Sequence, residues 1–556
     1  MKAIKNGINL LKNWIEMLEV NRIRLFSLIF LLIASTIVES CQPLLFGRLI
    51  DSLHHRNKLI ILILIIAGID IMGNFLNYIT QRVQFVLSIH IEANAKKRIF
   101  RKILNMPYEK FVHVEKGKLV NTLQKDAEVF FRILTLIVSL GVDIASALAT
   151  AVIMIGINWK LTLLFLGTFP INIFLFKKFG LKIKEKTKES KSVTDKYLTF
   201  VNEVLVNMKT IKLFGANQFA EEYFEDKVTK TYRCLDQRNE YNRKGSLLIQ
   251  MINSFIGILI IVLGILQIFY GKLTVGGLVS FRTYSSSLSK YLLRLSMVNA
   301  DVQEIKVSLD RVQAIIEKTE NEPEMPENQN YETCFSKEVQ LEDISFGYEP
   351  DVLVLNHVNA SFGQNQMVSI VGQNGSGKST ILNLLSSLYR SYQGNIYLGD
   401  VELRNIPPMA LYKNVCYIFQ QTSLFTLTLR ENLLIGNENA TDEDIKEACK
   451  KVSLWEFIKT LPDGLDTVIG DKGILLSEGQ KQKMVIARGM LADAKIYLLD
   501  EITANLDAES ELQICNVIRQ LKEHKLIINV SHRPKLLEIS DYIYELNDGS
   551  LIKQER

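Results

Sequence analysis

Long apolar stretches dominate the first half of this chain. Six of them are predominantly apolar, at 25–50, 59–80, 133–157, 161–179, 246–270 and 275–296. About 20 helical residues rise roughly 30 Å, which is enough to cross the hydrocarbon layer of a membrane. We therefore expect a bundle of six transmembrane helices. The fourth stretch is short and the sixth carries charged residues, so these two have the weakest pattern.

Basic residues set the orientation of these spans. The connections at 81–132 and 180–245 are long and rich in Lys and Arg, whereas the turns at 51–58, 158–160 and 271–272 are short. Because positive residues stay on the cytoplasmic side, both termini are predicted to lie there. The sequence thus predicts a multi-pass protein of the plasma membrane, and its Lys-, Ile- and Asn-rich usage favours a bacterial source.

Four segments follow from this pattern. Residues 1–22 carry apolar side chains on one helical face among lysines, which predicts a helix lying on the membrane surface. Residues 23–315 form the predicted transmembrane domain. Residues 316–336, acidic and rich in Pro and Asn, are the predicted linker to a cytoplasmic domain at 337–556.

A phosphate-binding loop opens the chemistry of that cytoplasmic domain. The P-loop pattern covers Gly372, Gln373, Asn374, Gly375, Ser376, Gly377, Lys378, Ser379 and the following Thr380. An apolar strand precedes it (MVSIVG) and a helical pattern follows it (ILNLLSSLY), so phosphates would lie at a helix N-terminus. Lys378 is expected to reach the β- and γ-phosphates of ATP, and Ser379 to hold Mg²⁺. This predicts an α/β P-loop ATPase domain.

Acidic residues follow a second buried strand. The apolar run before Asp500 and Glu501 delivers both carboxylates at its tip. Asp500 would bind the Mg²⁺ shell, and Glu501 is placed to polarise the attacking water. His532 follows another apolar strand (LIINV), where it could contact the γ-phosphate and the same water. The sequence predicts that these residues hydrolyse ATP.

These motifs resemble those of an ABC transporter, and the whole chain resembles an exporter-type half-transporter. The signature LSEGQ spans Leu476 to Gln480. The resemblance implies that two such domains meet head to tail, with Ser477, Gly479 and Gln480 facing the nucleotide of a second copy. It also implies that Gln420 senses Mg²⁺ and contacts the membrane part, and that Tyr348 stacks on adenine.

Further family features surround the signature. Residues 467–473 resemble the exporter X-loop, and Asp507 matches the D-loop, although Ala504 replaces its usual serine. Glu478 stands where the signature has glycine, and we expect it to point away from the nucleotide and to weaken dimer closure. Since every catalytic element is present in this one chain, we expect a homodimer.

The two long connections resemble the cytoplasmic extensions of exporters. In that family such extensions end in short coupling helices that carry motion between ATPase and membrane spans. The segment from Pro107 to Asp126 resembles the first, and the segment from Asn202 to Phe219 resembles the region of the second. A pair of solvated basic helices would explain their charge but not their length.

Charged residues inside the spans bear on the substrate. Ionisable groups there are costly, so Glu39, Asp70 and Asp143 are functional candidates. The sixth span carries Arg282, Lys290 and Arg294, in register with Ser286 along one helix face. Two interpretations stay open. The basic side chains bind a carboxylate or phosphate in a central cavity, or they pair with the three acids across helices.

Three functions remain open from the sequence. The first is ATP-driven export of a peptide, a bacteriocin-like product or an amphipathic molecule. The second is a flippase for a lipid or lipid-linked sugar, and the third is a nucleotide-gated regulatory or channel-like protein. The net charge of +5 is modest, and the basic residues cluster in cytoplasmic segments next to the membrane. No nucleic-acid partner is therefore expected. Membrane lipid, a second copy and the transported substrate are the expected partners.

Overall fold

The computed structural model describes residues 22–53, 55–319, 331–349, 352–420, 423–470, 473–504 and 506–554. The chain forms two compact units. The first comprises residues up to 104 together with 116–317, and the second comprises 105–115 together with the chain from 318 onward. The surface helix expected within 1–22 and most of the linker expected at 316–336 lie outside the described residues.

Long helices build the first unit. They run over Arg22–Asp51, Arg56–Leu104, Val129–Leu166, Phe169–Val206, Asn217–Phe269 and Val275–Thr319, with shorter helices at Lys116–Gln124, Asp126–Glu128 and Met208–Leu213. By length and composition, four described stretches could cross a membrane: Ile23–Asp51, Arg56–Leu104, Lys116–Ile171 and Asn217–Phe269. Phe169–Val206 and Val275–Thr319 are not among these four stretches. This agrees with the weaker apolar pattern of the fourth and sixth predicted spans.

Asn158 breaks the long helix at the predicted outer turn. Its backbone leaves the helical region, with φ −160° and ψ 103°. Its side-chain oxygen accepts a hydrogen bond from the Leu161 N–H at 3.1 Å, in the manner of a helix cap. Its amide nitrogen donates to the Gln267 side chain at 2.6 Å. The polar side chain therefore begins a new helical segment and ties it to the Asn217–Phe269 helix.

Small residues bring the first and last long helices close together. A Cβ on Gly276 would lie 1.9 Å from the Gly47 carbonyl oxygen, so only glycine fits at this crossing. The Gly276 N–H donates to the Asp51 carboxylate at 2.8 Å. One turn further along, the Ser280 hydroxyl donates to the Pro43 carbonyl at 2.7 Å. These contacts satisfy polar groups at the start of the last helix.

Two sheets build the second unit. A four-stranded antiparallel sheet has the order β2-β1-β4-β5, and a six-stranded sheet has the order β10-β9-β3-β8-β7-β6. The strands are β1 Val339–Phe346, β2 Leu355–Phe362, β3 Met367–Val371, β4 Gln393–Leu398, β5 Val401–Glu402, β6 Val415–Ile418, β7 Ile496–Asp500, β8 Leu526–Val530, β9 Tyr542–Asn547 and β10 Ser550–Gln554. In the larger sheet all strand pairs are parallel except β9 with β10.

Helices cover the larger sheet. They run over Lys378–Leu385, Pro408–Asn414, Leu429–Leu434, Asp442–Lys451, Trp455–Lys459, Glu478–Leu491, Ala508–Leu521 and Pro534–Ile539, and the separate segment 105–115 adds Tyr108–Val112. Every residue of β7 and β8 is buried, as their apolar sequences predict. Because parallel strands end at a common edge, β3, β7 and β8 bring their following residues to one place.

Candidate active site

The phosphate loop joins β3 to the Lys378–Leu385 helix, as the sequence predicts. All three glycines of the loop have positive φ, at 151°, 83° and 102° for Gly372, Gly375 and Gly377. A Cβ on Gly372 would also lie 2.4 Å from the Leu546 carbonyl oxygen. Glycine is therefore required for a loop of this shape, which turns backbone N–H groups toward an anion.

The helix after the loop ends earlier than its sequence pattern suggests. The apolar pattern continues to Tyr389, but the helix ends at Leu385. Ser387 has φ 59°, in the left-handed region that stops helices. This early end places Tyr389 and Arg390 in the loop that follows the helix.

Lys378 lies folded back over the phosphate loop. It is buried, and its Nζ donates to the Gly372 and Gln373 carbonyl oxygens, each at 2.8 Å. Burial lowers the pKa of Lys378, and the neighbouring carboxylates Glu501 and Asp500 oppose that shift. The ammonium group is thus held by carbonyl oxygens that an incoming phosphate could replace.

Asp500 ends β7 beside the loop. The residue is buried, and burial raises the pKa of its carboxyl, against hydrogen bonds from the hydroxyls of Ser379 and Tyr417. The Tyr417 hydroxyl donates to Asp500 Oδ2 at 3.3 Å. Two hydroxyls therefore orient this carboxylate, one of them from the residue that directly follows Lys378.

The Glu501 backbone has a φ of 49°, a left-handed conformation that residues other than glycine rarely adopt. Its N–H donates to the Val530 carbonyl at 2.9 Å, which continues the pairing of β7 with β8 by one residue. Its carboxylate accepts a hydrogen bond from Gln420 Nε2 at 2.7 Å. The loop after β6 and the tip of β7 are thereby joined, and two of the predicted catalytic residues meet directly.

His532 lies at the same edge of the sheet. It follows β8 by two residues, and β8 ends opposite β7, with Val530 paired to Asp500. Ser531 is buried, whereas the His532 side chain is exposed. The structure therefore presents the imidazole to solvent at the edge where Asp500 and Glu501 end their strand.

Tyr348 stands at the rim of this site. Its hydroxyl is 3.1 Å from the Thr380 hydroxyl and accepts a hydrogen bond from Asn383 at 3.1 Å. The side chain is 43% exposed, which leaves surface for a stacked ring. These hydrogen bonds fix the predicted adenine-binding aromatic to the helix that begins at the phosphate loop.

The signature segment forms a helix start of its own. Ser477 caps the Glu478–Leu491 helix in a capping box with Gln480. Glu478 is exposed and pairs with Lys481 at 2.7 Å. The side chains of Ser477 and Gln480 each hydrogen-bond to the backbone N–H of the other, and within the described residues neither side chain bonds to the phosphate loop. One copy of the chain therefore does not bring the two halves of the predicted site together.

Comparison with known families decides the relationship. The profile of the ABC transporter transmembrane region matches residues 25–292, and the ABC transporter ATP-binding profile matches residues 355–504. The chain belongs to the ABC transporter family. It carries one transmembrane region followed by one ATP-binding domain, so the predicted exporter-type half-transporter, its fold class and its ATPase-coupled transport activity are confirmed.

Curated relatives align along most of the transporter. An "ATP-dependent lipid A-core flippase" of Desulfotalea psychrophila is 26% identical over 96% of this chain and 94% of its own. A "Putative export ATP-binding/permease protein" of Rickettsia prowazekii is 28% identical over 91% of this chain and 87% of its own. "ABC transporter B family member 1" of Dictyostelium discoideum is 26% identical, but the transporter spans only 58% of its length.

The residues present fit ATP and Mg²⁺. Among the described residues, the Ser376 hydroxyl of the phosphate loop is buried with no hydrogen-bond partner, as expected of a group that awaits a phosphate oxygen. Ser379 and Asp500 offer a hydroxyl and a single carboxylate already in contact. Mg²⁺ typically takes one or two carboxylates and completes its shell with phosphates and water.

Sequence reasoning missed two participants. Tyr417, which contacts Asp500, lies in β6 only three residues before Gln420, so its proximity to the site could have been inferred. Tyr389 packs on Tyr348 with ring centroids 5.2 Å apart.

The expected D-loop residue Asp507 has a local role as well. Its carboxylate caps the Ala508–Leu521 helix through Ser510 at 2.8 Å, which lowers the pKa of Asp507.

Proposed function

We propose that two copies of the transporter bind two ATP molecules between them and use hydrolysis to drive export across the plasma membrane of a bacterium. The observation that carries this proposal is the separation of the site's two halves. Lys378, Asp500 and Glu501 converge in one copy, whereas Ser477 caps a different helix. A second copy, placed head to tail, would supply the missing half.

Each catalytic residue has a defined task in this proposal. Lys378 exchanges its carbonyl partners for the β- and γ-phosphates. Ser379 and Asp500 are the residues that would hold Mg²⁺, which would supply positive charge against those phosphates. Gln420 releases the carboxylate of Glu501, which then accepts a proton from the attacking water. His532 approaches the γ-phosphate from the end of β8. Closure of the two ATPase domains switches the membrane helices from inward-open to outward-open.

Loss of the Glu501 carboxylate tests the catalytic assignment. We expect Glu501→Gln, in purified transporter in lipid nanodiscs, to bind ATP as the unchanged chain does but to lose nearly all turnover, because its amide cannot accept the proton. Glu509→Gln is the matched control, since Glu509 is exposed in the first turn of a nearby helix. Wild-type turnover in Glu501→Gln would refute the assignment.

A peptide or an amphipathic molecule is the proposed substrate, and the pairing of Arg294 weakens the case for an anion site built from all three basic side chains of the sixth predicted span. Arg294 pairs with the buried carboxylate of Asp143 at 2.7 Å and lies over the Tyr291 ring at 5.5 Å. Arg282 packs against the backbone of Gly257, where a Cβ would lie 2.7 Å from its guanidinium. Arg294 thus has an acidic partner, as the pairing interpretation requires, whereas the contact of Arg282 with a glycine does not neutralise its charge.

A lipid or lipid-linked-sugar flippase is the second candidate. It is favoured by the curated relatives that carry the name lipid A-core flippase. Stimulation of Glu501-dependent ATPase activity distinguishes the two. We expect amphipathic peptides added to nanodiscs to raise turnover several-fold, whereas stimulation by anionic lipid alone would favour the flippase. Tight nucleotide binding without Glu501-dependent turnover would instead favour a nucleotide-gated switch.

A further inference from the structure

A series of aromatic rings runs from the nucleotide site to the short helix Tyr108–Val112. Tyr348 packs edge to face on Tyr389, with centroids 5.2 Å apart and planes at 83°. Tyr389 packs edge to face on Tyr108, with centroids 6.0 Å apart and planes at 87°. Phe346 contacts both Tyr348 and Tyr389, at 5.1 and 5.6 Å. Tyr389 is therefore the single ring between the site and the short helix in this series.

A hydrogen bond fixes the short helix beside this series. The Glu109 carboxylate accepts a hydrogen bond from the backbone N–H of Arg390 at 3.2 Å. The Arg390 side chain is held in turn by the Ser387 hydroxyl at 2.6 Å and the Ile406 carbonyl at 3.2 Å. Residues 105–115 belong to the same compact unit as the ATP-binding domain. The contact therefore has both an apolar and a polar component.

The two end rings differ from the middle one in exposure. Tyr348 and Tyr108 are 43% and 45% exposed, whereas Tyr389 is only 8% exposed. A stacked base would cover the free surface of Tyr348 and restrict its motion. Because edge-to-face packing depends on the angle between rings, Tyr389 would be held in one orientation. The surface of Tyr389 that packs on Tyr108 would then be fixed as well.

We propose that Tyr389 couples adenine occupancy at Tyr348 to the short helix Tyr108–Val112. The proposal rests on the proposed role of Tyr348 as the adenine contact. The base end of the nucleotide then acts on the short helix by a route separate from the phosphates. Residues 105–107 connect the short helix to the end of the Arg56–Leu104 helix of the membrane half.

Linkage makes the proposal measurable without turnover. If a bound base strengthens the packing of Tyr108 on Tyr389 by some factor, then the packing of Tyr108 must strengthen binding of the base by the same factor. Pairwise aromatic contacts of this kind correspond to a factor of about 2 to 10 in a binding constant. A ligand with phosphates but no base should not respond to changes at Tyr108. ADP and inorganic pyrophosphate are therefore the two probes.

The experiment is a double-mutant cycle on the full chain in nanodiscs, with ADP and pyrophosphate binding measured by calorimetry. We expect Tyr108→Ala to weaken ADP binding by about 2- to 10-fold and to leave pyrophosphate binding unchanged. In a Tyr389→Leu background the Tyr108→Ala effect should disappear. Val112→Ala, an exposed change on the same short helix, is the control and should have no effect.

Three results would overturn the proposal. These are unchanged ADP affinity in Tyr108→Ala, equal weakening of ADP and pyrophosphate, or a Tyr108→Ala effect that persists in Tyr389→Leu. Tyr389→Phe, which keeps the ring, should bind ADP as the unchanged chain does. Tyr348→Ala separates this proposal from the one on which it rests. If it leaves ADP affinity unchanged, the adenine role of Tyr348 fails, whereas the Glu501→Gln assay of turnover is unaffected.

Discussion

The ion pair between Asp126 and Arg311 is expected to be a major determinant of stability in the first unit. Both oxygens of Asp126 accept hydrogen bonds from the Arg311 guanidinium, at 2.9 and 2.7 Å. The Asp126 side chain is only 3% exposed, whereas that of Arg311 is 43% exposed. The pair joins the turn Asp126–Glu128 to the Val275–Thr319 helix.

Removal of Arg311 leaves a buried carboxylate without its cation. Breaking such a pair costs about 3–5 kcal/mol. Because one partner is nearly half open to water, which screens the pair, we expect the low end, about 3 kcal/mol, for Arg311→Met. Replacing both partners with apolar side chains removes the unpaired charge. The double variant Asp126→Leu/Arg311→Met should therefore return to within about 1 kcal/mol of the unchanged chain.

Thermal unfolding of the nucleotide-free transporter in nanodiscs measures the effect. At about 2 °C per kcal/mol, Arg311→Met should melt about 6 °C lower. Lys230→Met is the control, because Lys230 pairs with Asp226 at 2.7 Å on the surface, with side chains 61% and 48% exposed. Such pairs contribute about 0–1 kcal/mol.

The reasoning has two points of failure. If Arg311→Met lowers the melting temperature no more than Lys230→Met does, the buried carboxylate does not depend on its cation. If the double variant melts no higher than Arg311→Met does, removal of the unpaired carboxylate restores nothing, and the ion pair is not the cause of the stability.

Three further predictions concern the nucleotide site. Glu478→Gly should lower the ATP concentration for half-maximal turnover, since one negative charge leaves the signature, while Lys481→Gln, which uncovers that charge, should raise it. Tyr348→Ala should weaken ATP binding about 10-fold through lost stacking, whereas Tyr348→Trp should retain it. Because burial raises the pKa of Asp500, its charged form destabilises the nucleotide-free fold at pH 7. Asp500→Asn should thus melt higher at pH 7, by a margin that shrinks toward pH 4, and abolish turnover.

Each of these has a direct check. ATPase titrations with unchanged half-maximal concentrations in both Glu478→Gly and Lys481→Gln would remove the electrostatic role of Glu478. Equal ATP affinity of Tyr348→Ala and the unchanged chain in calorimetry would contradict stacking. A lower melting temperature of Asp500→Asn at pH 7 would mean that the hydrogen bonds to its carboxylate outweigh the cost of its burial.

Local sequence was enough to predict the phosphate loop and the strands around it. The glycine spacing from Gly372 to Gly377 demands positive φ, and the apolar runs of β7 and β8 can only be interior. The break at Asn158 could also be predicted from the sequence, because the triplet Asn-Trp-Lys lies between two apolar runs. In each case the signal lies within a few residues of the structure that it determines.

Contacts between distant residues left no such signal. Tyr108 and Tyr389 are ordinary aromatics in their own segments, and only the fold brings them together. The partner of Arg294 could not be chosen among three acids from sequence, because helix rotation decides which one it faces. The contact of Gln420 with Glu501 likewise depends on the parallel pairing of β6 and β7.

The packing of residues 105–115 in the second unit has a consequence for biosynthesis. The short helix leaves the ribosome about 280 residues before Arg390, whose backbone N–H donates to the Glu109 carboxylate of that helix. At about 5–20 residues per second, this delay is roughly 15–55 s. Throughout that time the membrane helices can insert and pack, whereas Tyr389, on which Tyr108 packs, has not yet been made. Tyr389 and Arg390, which hold the short helix, are therefore made only after all the long helices of the first unit.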